Sequence, residues 1–204
     1  MSYRLSVVND LPRAGLPEIF ADWEEYQRHM AVLIRAGLID GPSRLWWDVR
    51  PSAIFPTLEL RITDVCSRLD DAITVAALFR CLLAMLYRRH LDGRPWPSHK
   101  RMLLSKNRWR AERYGPDKGF LDYDGSEILE FDAVLGSVID ELLQDAEELR
   151  CLAEVQRAAE ILCRGTSAHR QLLTHQAALD DGATSEEALR AVVDFLIEET
   201  YSGL

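Results

Sequence analysis

Residues 44–64 read RLWWDVRPSAIFPTLELRITD. The stretch alternates like two short strands about a proline-flanked turn, yet Arg50, Glu59 and Arg61 stand at strand positions. Charge in a sheet is costly to bury unless it meets an opposite charge, a metal or a ligand. In TLELRIT, Leu58, Leu60 and Ile62 share one face, and Thr57, Glu59, Arg61 and Thr63 share the other. In LWWDV, Trp46 and Asp48 lie on one face, Trp47 lies opposite with Leu45 and Val49, and Pro51 closes the strand. Two readings of the charged face stand open: Glu59 bridged structurally to Arg50 or Arg61, or a polar lining for a cation and an anionic ligand.

The sequence on either side is mostly helical in pattern. Ile19, Phe20, Trp23, Tyr26, Met30, Leu33 and Ile34 recur at helical spacing, with Pro17 suited to the first turn and Gly37 to the end. Ser67 and Asp70 have the spacing of a capping box opening a helix from Arg68 to about His90, apolar nearly all round. LDGRPWPSHK is a loop, and NRWRAERYGPDKG a short helical or irregular basic segment ended by Gly115 and Pro116. Helical periodicity then covers roughly 131–149, 151–164, 167–180 and Thr184 to about Tyr201, where TSEE is a second capping box and Gly165 and Gly182 are breaks. The expectation is a single α+β domain over 1–204, mainly helical with a small antiparallel sheet, strand-containing over 1–64 and mostly helical over 65–204. So few strands leave open edges, which points to a sheet extended by another chain.

With 204 residues, 48% of them hydrophobic, the chain can bury a real core. A formal net charge of −9 argues against broad nucleic-acid binding. The charge is uneven: residues 88–118 hold ten Lys or Arg against three acids, and residues 120–204 hold five against nineteen. The basic segment, interleaved with Trp96, Trp109 and Tyr114, suits a nucleotide or ion-pair partners better than a nucleic acid. Cys66, Cys81, Cys151 and Cys163 have no CxxC spacing and read as reduced core thiols. No apolar signal core opens the chain, and the longest apolar run, residues 72–87, is short and broken by Arg80, so a cytoplasmic protein without a membrane partner is expected.

LWWDVRPSAIFPTLELRITD, KNRWRAERYG, GTSAHRQL and VVDFLIEETY occur in that order, after LPRAGLPEIFADWEEY. Together they resemble the C-terminal half of the carboxylate–amine ligases related to glutamate–cysteine ligase. The resemblance implies a glutamine synthetase-like fold in which ATP, with Mg2+ or Mn2+, converts a carboxylate, usually the γ-carboxylate of glutamate, to an acyl phosphate that an amine attacks. Such chemistry needs hard cations held by carboxylates, and arginines aimed at oxygens. On this resemblance Glu59 is a metal ligand, Arg61 binds phosphate or the substrate carboxylate, and Arg50 is a weaker candidate for the same charge-neutralising work. Asn107, Arg108 and Arg110 approach the nucleotide or an acidic substrate, with Trp109 as anchor; a solvated basic loop is the competing reading. Asp48 and Asp64 are equally well explained by turn or cap hydrogen bonds, and His169 and His175 by surface or packing roles.

Two departures from the family pattern stand out. Lys106 occupies the position where the family usually has glutamate, and the glutamate-rich first half of family members does not precede Met1. The resemblance therefore implies a subunit or half of a ligase that needs an N-terminal half or a homo-oligomer. The alternative is a regulatory or scaffolding partner that kept the fold and lost the chemistry.

Overall fold

The computed structural model describes residues 2–202, which form two compact units, Ser2–Asp64 and the residues from Val65 onward. The first unit contains α1 (Tyr3–Asn9), β1 (Ala14–Gly15), α2 (Trp23–Arg35), a 3-10 turn (Pro42–Arg44), β2 (Trp46–Trp47), β3 (Val49–Pro51) and β4 (Leu58–Leu60). Helix α2 starts four residues later than the apolar spacing predicts. Asp22 accepts from the Glu25 amide at 2.7 Å, and the Glu25 carboxylate accepts from the Ala21 amide at 2.6 Å. This Asp-x-x-Glu box satisfies first-turn donors that Pro17, lying outside the helix, would have left open. Gly37, at φ +69°, ends the helix as expected.

LWWDV is not one strand. Trp46–Trp47 pair in parallel with Ala14–Gly15, whereas Val49–Pro51 pair antiparallel with Leu58–Leu60. Asp48 is the corner between them: its amide donates to Gly15 O at 2.8 Å, and its carbonyl accepts from the amides of Arg61 and Ile62 at 2.7 and 3.1 Å. The bend breaks the alternation, so Trp47, Asp48 and Arg50 are all buried. The expected oily face of TLELRIT is incomplete, since Leu58 is exposed and the strand ends at Leu60. Tyr26, Met30, Ile39, Leu45 and Trp47 form this unit's core, with Phe20 and Leu33 packed against it.

The second unit contains α3 (Leu69–Leu91), α4 (Arg101–Tyr114), β5 (Phe120–Leu121), β6 (Ile128–Leu129), α5 (Phe131–Glu148), α6 (Leu152–Gln156), α7 (Ala158–Arg164), α8 (Ser167–Asp180) and α9 (Ser185–Tyr201). The α+β class holds. The sheet is three separate two-stranded ladders among the described residues, of which β1–β2 is parallel. The core of the second unit is built from Ala77, Cys81 and Met85 of α3, four residues apart on one face, against Leu142 and Ala146 of α5 and Cys151 and Val155 at α6. The helix expected over 151–164 is interrupted at Arg157.

Ser67 and Asp70 do not form the predicted capping box. The Ser67 hydroxyl donates to the buried Glu199 carboxylate at 2.7 Å, and Asp70 faces Arg157 at 3.5 Å. A carboxylate withdrawn from water outcompetes a helix end, whose amides are satisfied more cheaply. The second box does form: Thr184 and Glu187 cap each other across the first turn of α9, and Gly182 turns the chain at φ +90°. No helix of the described residues is long and apolar enough to cross a membrane.

Cys81 and Cys151 are core thiols whose sulfurs lie 3.4 Å apart, but Cys163 is exposed, contrary to the expectation for all four cysteines. Burial, followed by the hydrogen bond to Cys151, pushes the Cys81 thiol up to about 12. At pH 8, iodoacetamide should therefore modify Cys163 first and Cys81 only on unfolding, as read by peptide mass. Leu142→Ala, at a position with no exposed surface, should destabilise by about 2–5 kcal/mol in urea unfolding.

Candidate functional site

The antiparallel register of β3 and β4 sets Arg50 directly opposite Glu59. Arg50 donates from Nε and Nη2 to the same Glu59 oxygen, Oε2, at 3.0 and 2.9 Å, and from Nη1 to the carbonyls of Ser43 and Leu45 at 2.5 and 2.6 Å. A buried guanidinium met on so many donors is a fixed point, which suits Arg50 to positioning. Arg61, just past the end of β4, reaches Glu59 Oε2 more loosely at 3.4 Å and lies 5.3 Å from the centre of the Trp46 ring. Its side chain is about a third exposed, against a buried Arg50, so it is the cation of the trio able to meet an incoming anion.

The trio carries two positive charges against one negative. Burial pushes the Glu59 carboxyl up, but the hydrogen bond and charge of Arg50, and then those of Arg61, outweigh it and leave the carboxyl below its ordinary value. The Tyr26 phenol is raised, chiefly by burial and against the pull of Arg50. Its hydroxyl is buried without a hydrogen-bond partner. Tyr26 was legible in the sequence only as a core position of a helical stripe, so its polar end was missed. Arg4 was missed as well: it donates to Arg61 O at 2.6 Å and faces Asp64 at 3.7 Å, while Ser2 donates to Asp64 at 2.9 Å. These bonds give Asp64 the local tying role that its sequence context allowed.

In the second unit, the Asn107 side chain donates to Leu121 O at 2.9 Å and accepts from Leu121 N at 2.8 Å, gripping β5 as a strand partner would. Arg110 donates to the carbonyls of Gly119, at 3.0 Å, and Lys118. Arg108 faces Glu112 at 3.6 Å one helical turn on, and the two side chains are largely buried. Lys106 lies 4.6 Å from the centre of the Trp109 ring. In this arrangement the side chains of the basic motif organise the turn before β5 from α4.

The two closing motifs meet at Glu199. Arg170 of GTSAHRQL donates to it, Arg68 stands at 3.8 Å, and His169 links Thr166, at 2.8 Å, to Asp117, at 2.9 Å. His169 thus has a packing and capping role.

A divalent hard cation takes about six oxygen ligands. Among the described residues no three His, Cys, Asp or Glu side chains converge on one point, and the Oε2 atom of Glu59 is engaged by two guanidiniums. The residues present do not by themselves make a magnesium or manganese site.

The model of glutamate–cysteine ligase family 2 matches residues 1–194. The chain belongs to glutamate–cysteine ligase family 2. It is 51% identical over 203 residues to a protein of Rhodospirillum rubrum named "Putative glutamate--cysteine ligase 2", covering 100% of this chain and 52% of that protein. Proteins of the same name from Paracoccus denitrificans and Jannaschia sp. are 41% and 40% identical, covering 97% and 100% of this chain and 53% of each relative. The chain spans about half the length of the curated relatives it matches. The resemblance carried by the strand, basic and closing motifs is thereby confirmed at the level of the family.

The depressed Glu59 carboxyl carries a pH signature. A group held below its ordinary value of 4.5 stabilises the fold above that value, and the contribution disappears as pH falls through the lowered folded value. Glu59→Gln should lower the urea midpoint at pH 7 and flatten the loss of stability below pH 4.5 relative to the unsubstituted protein. Parallel acid limbs for the two proteins would contradict the pairing.

Proposed function

We propose that the chain is the C-terminal half of an ATP-dependent carboxylate–amine ligase with a glutamine synthetase-like fold. The reaction joins a glutamate-like carboxylate to an amine. The carboxylate oxygen attacks the γ-phosphorus of ATP and ADP leaves; the amine nitrogen then attacks the acyl carbon, and phosphate leaves as the amide forms. The observation that carries this reading is the Arg50–Glu59–Arg61 cluster, on and just after the β3–β4 pair, in a chain that matches the ligase family over 1–194.

Arg61 has the exposure and the donors to hold a carboxylate or acyl phosphate oxygen, and Arg50 keeps Glu59 and the strand pair in register. Glu59, the residue the resemblance points to for Mg2+ or Mn2+, would act there only beside carboxylates contributed by the rest of the ligase. Asn107 and Arg110 shape the turn before β5, the part of this unit proposed to face the nucleotide, and Arg108 belongs to the same helix. Activity then requires the portion of the ligase that this chain does not span, joined as a partner half or within an oligomer.

A second reading has its own support. Lys106 replaces the family's usual glutamate, and Asn107 and Arg110 are engaged with backbone, which suits a regulatory or scaffolding partner that retains the fold. One experiment separates the two. The chain is co-expressed with the unmatched portion of the Rhodospirillum rubrum relative, and ATP- and amine-dependent phosphate release is measured. Arg61→Gln is expected to leave assembly intact and to lower kcat about 100-fold or more. Unchanged turnover, or turnover absent from an intact complex, would favour the scaffold.

A further inference from the structure

Helix α9 presents Leu189, Val193, Ile197 and Tyr201 to solvent, with exposures of 57%, 56%, 51% and 71%. A spacing of four residues keeps successive members on neighbouring positions of one helix side. The other side of α9 is well used: Ala188 and Glu199 are buried, Glu199 takes the Arg170 and Ser67 donors, and Arg170 lies 5.0 Å from the centre of the Phe195 ring. The stripe is therefore a second apolar face on a helix whose first face is already docked against α8. It offers on the order of 400 Å2 of apolar surface, within the range of the largest patch on a typical monomer, which is often functional.

The rim of the stripe says what covers it. Asp194 and Glu198 flank it, and the third nearby acid, Glu186, is paired with Arg190 at 2.6 Å. A second copy bringing the same face would set acid against acid, in a chain of net charge −9. The complementary surface is apolar with lysine or arginine at its edge. The matched relatives are about twice as long as this chain, so a ligase contains further polypeptide of a size able to supply such a surface.

We propose that the Leu189–Val193–Ile197–Tyr201 face of α9 is the seat of the remaining portion of the ligase, which meets it with a basic-rimmed apolar patch. The inference rests on the ligase reading above and adds the surface through which the halves join.

The test uses the full chain co-expressed with the unmatched portion of the Rhodospirillum rubrum relative. Val193→Asp and Ile197→Asp replace exposed side chains, and circular dichroism checks that each variant keeps its helices. Each is expected to weaken the complex at least tenfold, and amide exchange over residues 189–201 is expected to slow in the unsubstituted complex. Raised salt should weaken it further, because the rim is charged. Unchanged affinity in both variants, unchanged exchange on α9, or no complex at all would overturn the inference. A homodimer that the same substitutions dissolve would also overturn it, by giving the face to a second copy. A complex sensitive to both substitutions but without ATP turnover would sink the ligase reading and leave the seat standing; turnover with the substituted complexes intact would do the reverse.

Discussion

A guanidinium withdrawn from water has to be met by acceptors on most of its donors, and in the first unit that demand falls on Arg50. Glu59 Oε2 and the carbonyls of Ser43 and Leu45 meet it. Satisfying those bonds aligns β3 with β4, anchors the 3-10 turn ahead of β2, and places Trp47 in the core beside Tyr26. Breaking a buried pair of this kind leaves an uncompensated charge, which costs far more than the pair contributes while intact. The same bonds hold Glu59 where the partly exposed Arg61, just past β4, stands beside a carboxylate whose proton is already gone at neutral pH. Fold and candidate chemistry in this unit therefore share one interaction.

The helical unit obeys the same constraint with different partners. Arg88 meets Asp145 at 2.8 Å, Arg164 meets Asp71 at 2.6 Å, and Arg170 meets Glu199. These pairs tie α3 to α5, α3 to α7, and α8 to α9, and the core of Cys81, Met85, Leu142 and Val155 lies among α3, α5 and α6. They also explain why α3 begins without a side-chain cap: Ser67 is drawn to the buried Glu199 and Asp70 to Arg157. A fold rich in arginine–carboxylate pairs accounts for much of the basic segment's charge without a bound polyanion. Arg89 on Glu141, at 2.7 Å, and Arg108 near Glu112 are cases in point.

How much of the candidate site was legible depends on the range of the interactions. The period-two alternation of TLELRIT put Glu59 and Arg61 on one face; the strand ends at Leu60, yet the Arg61 side chain still reaches Glu59 at 3.4 Å. That Glu59 faces Arg50 depends on register, and register depends on where the chain bends; Asp48 bends it in the middle of what reads as one strand. The family resemblance of their motif assigns Asn107 and Arg110 to the nucleotide or an acidic substrate. Whether such groups face a ligand or a neighbouring carbonyl depends on what the turn at 115–119 brings beside them. Tyr26 and Arg4 gave no separate signal, since a tyrosine on an apolar stripe and an arginine near the N-terminus are ordinary in sequence.

The sequence by itself determined the helix boundaries marked by Gly37, Gly165 and Gly182, the Thr184–Glu187 cap, the α+β class and, through its ordered motifs, the family. These are short-range matters: backbone conformations favoured by glycine, side chains within one turn of the amides they cap, and strings of residues compared in register. Only the tertiary structure decided that the strands form separate two-stranded ladders, that Ser67 abandons a helix end for Glu199, and that Arg50 is locked while Arg61 stays half open. Each of those outcomes is a competition for a buried partner between groups up to 132 residues apart in the chain, and local sequence carries no record of which competitor arrives.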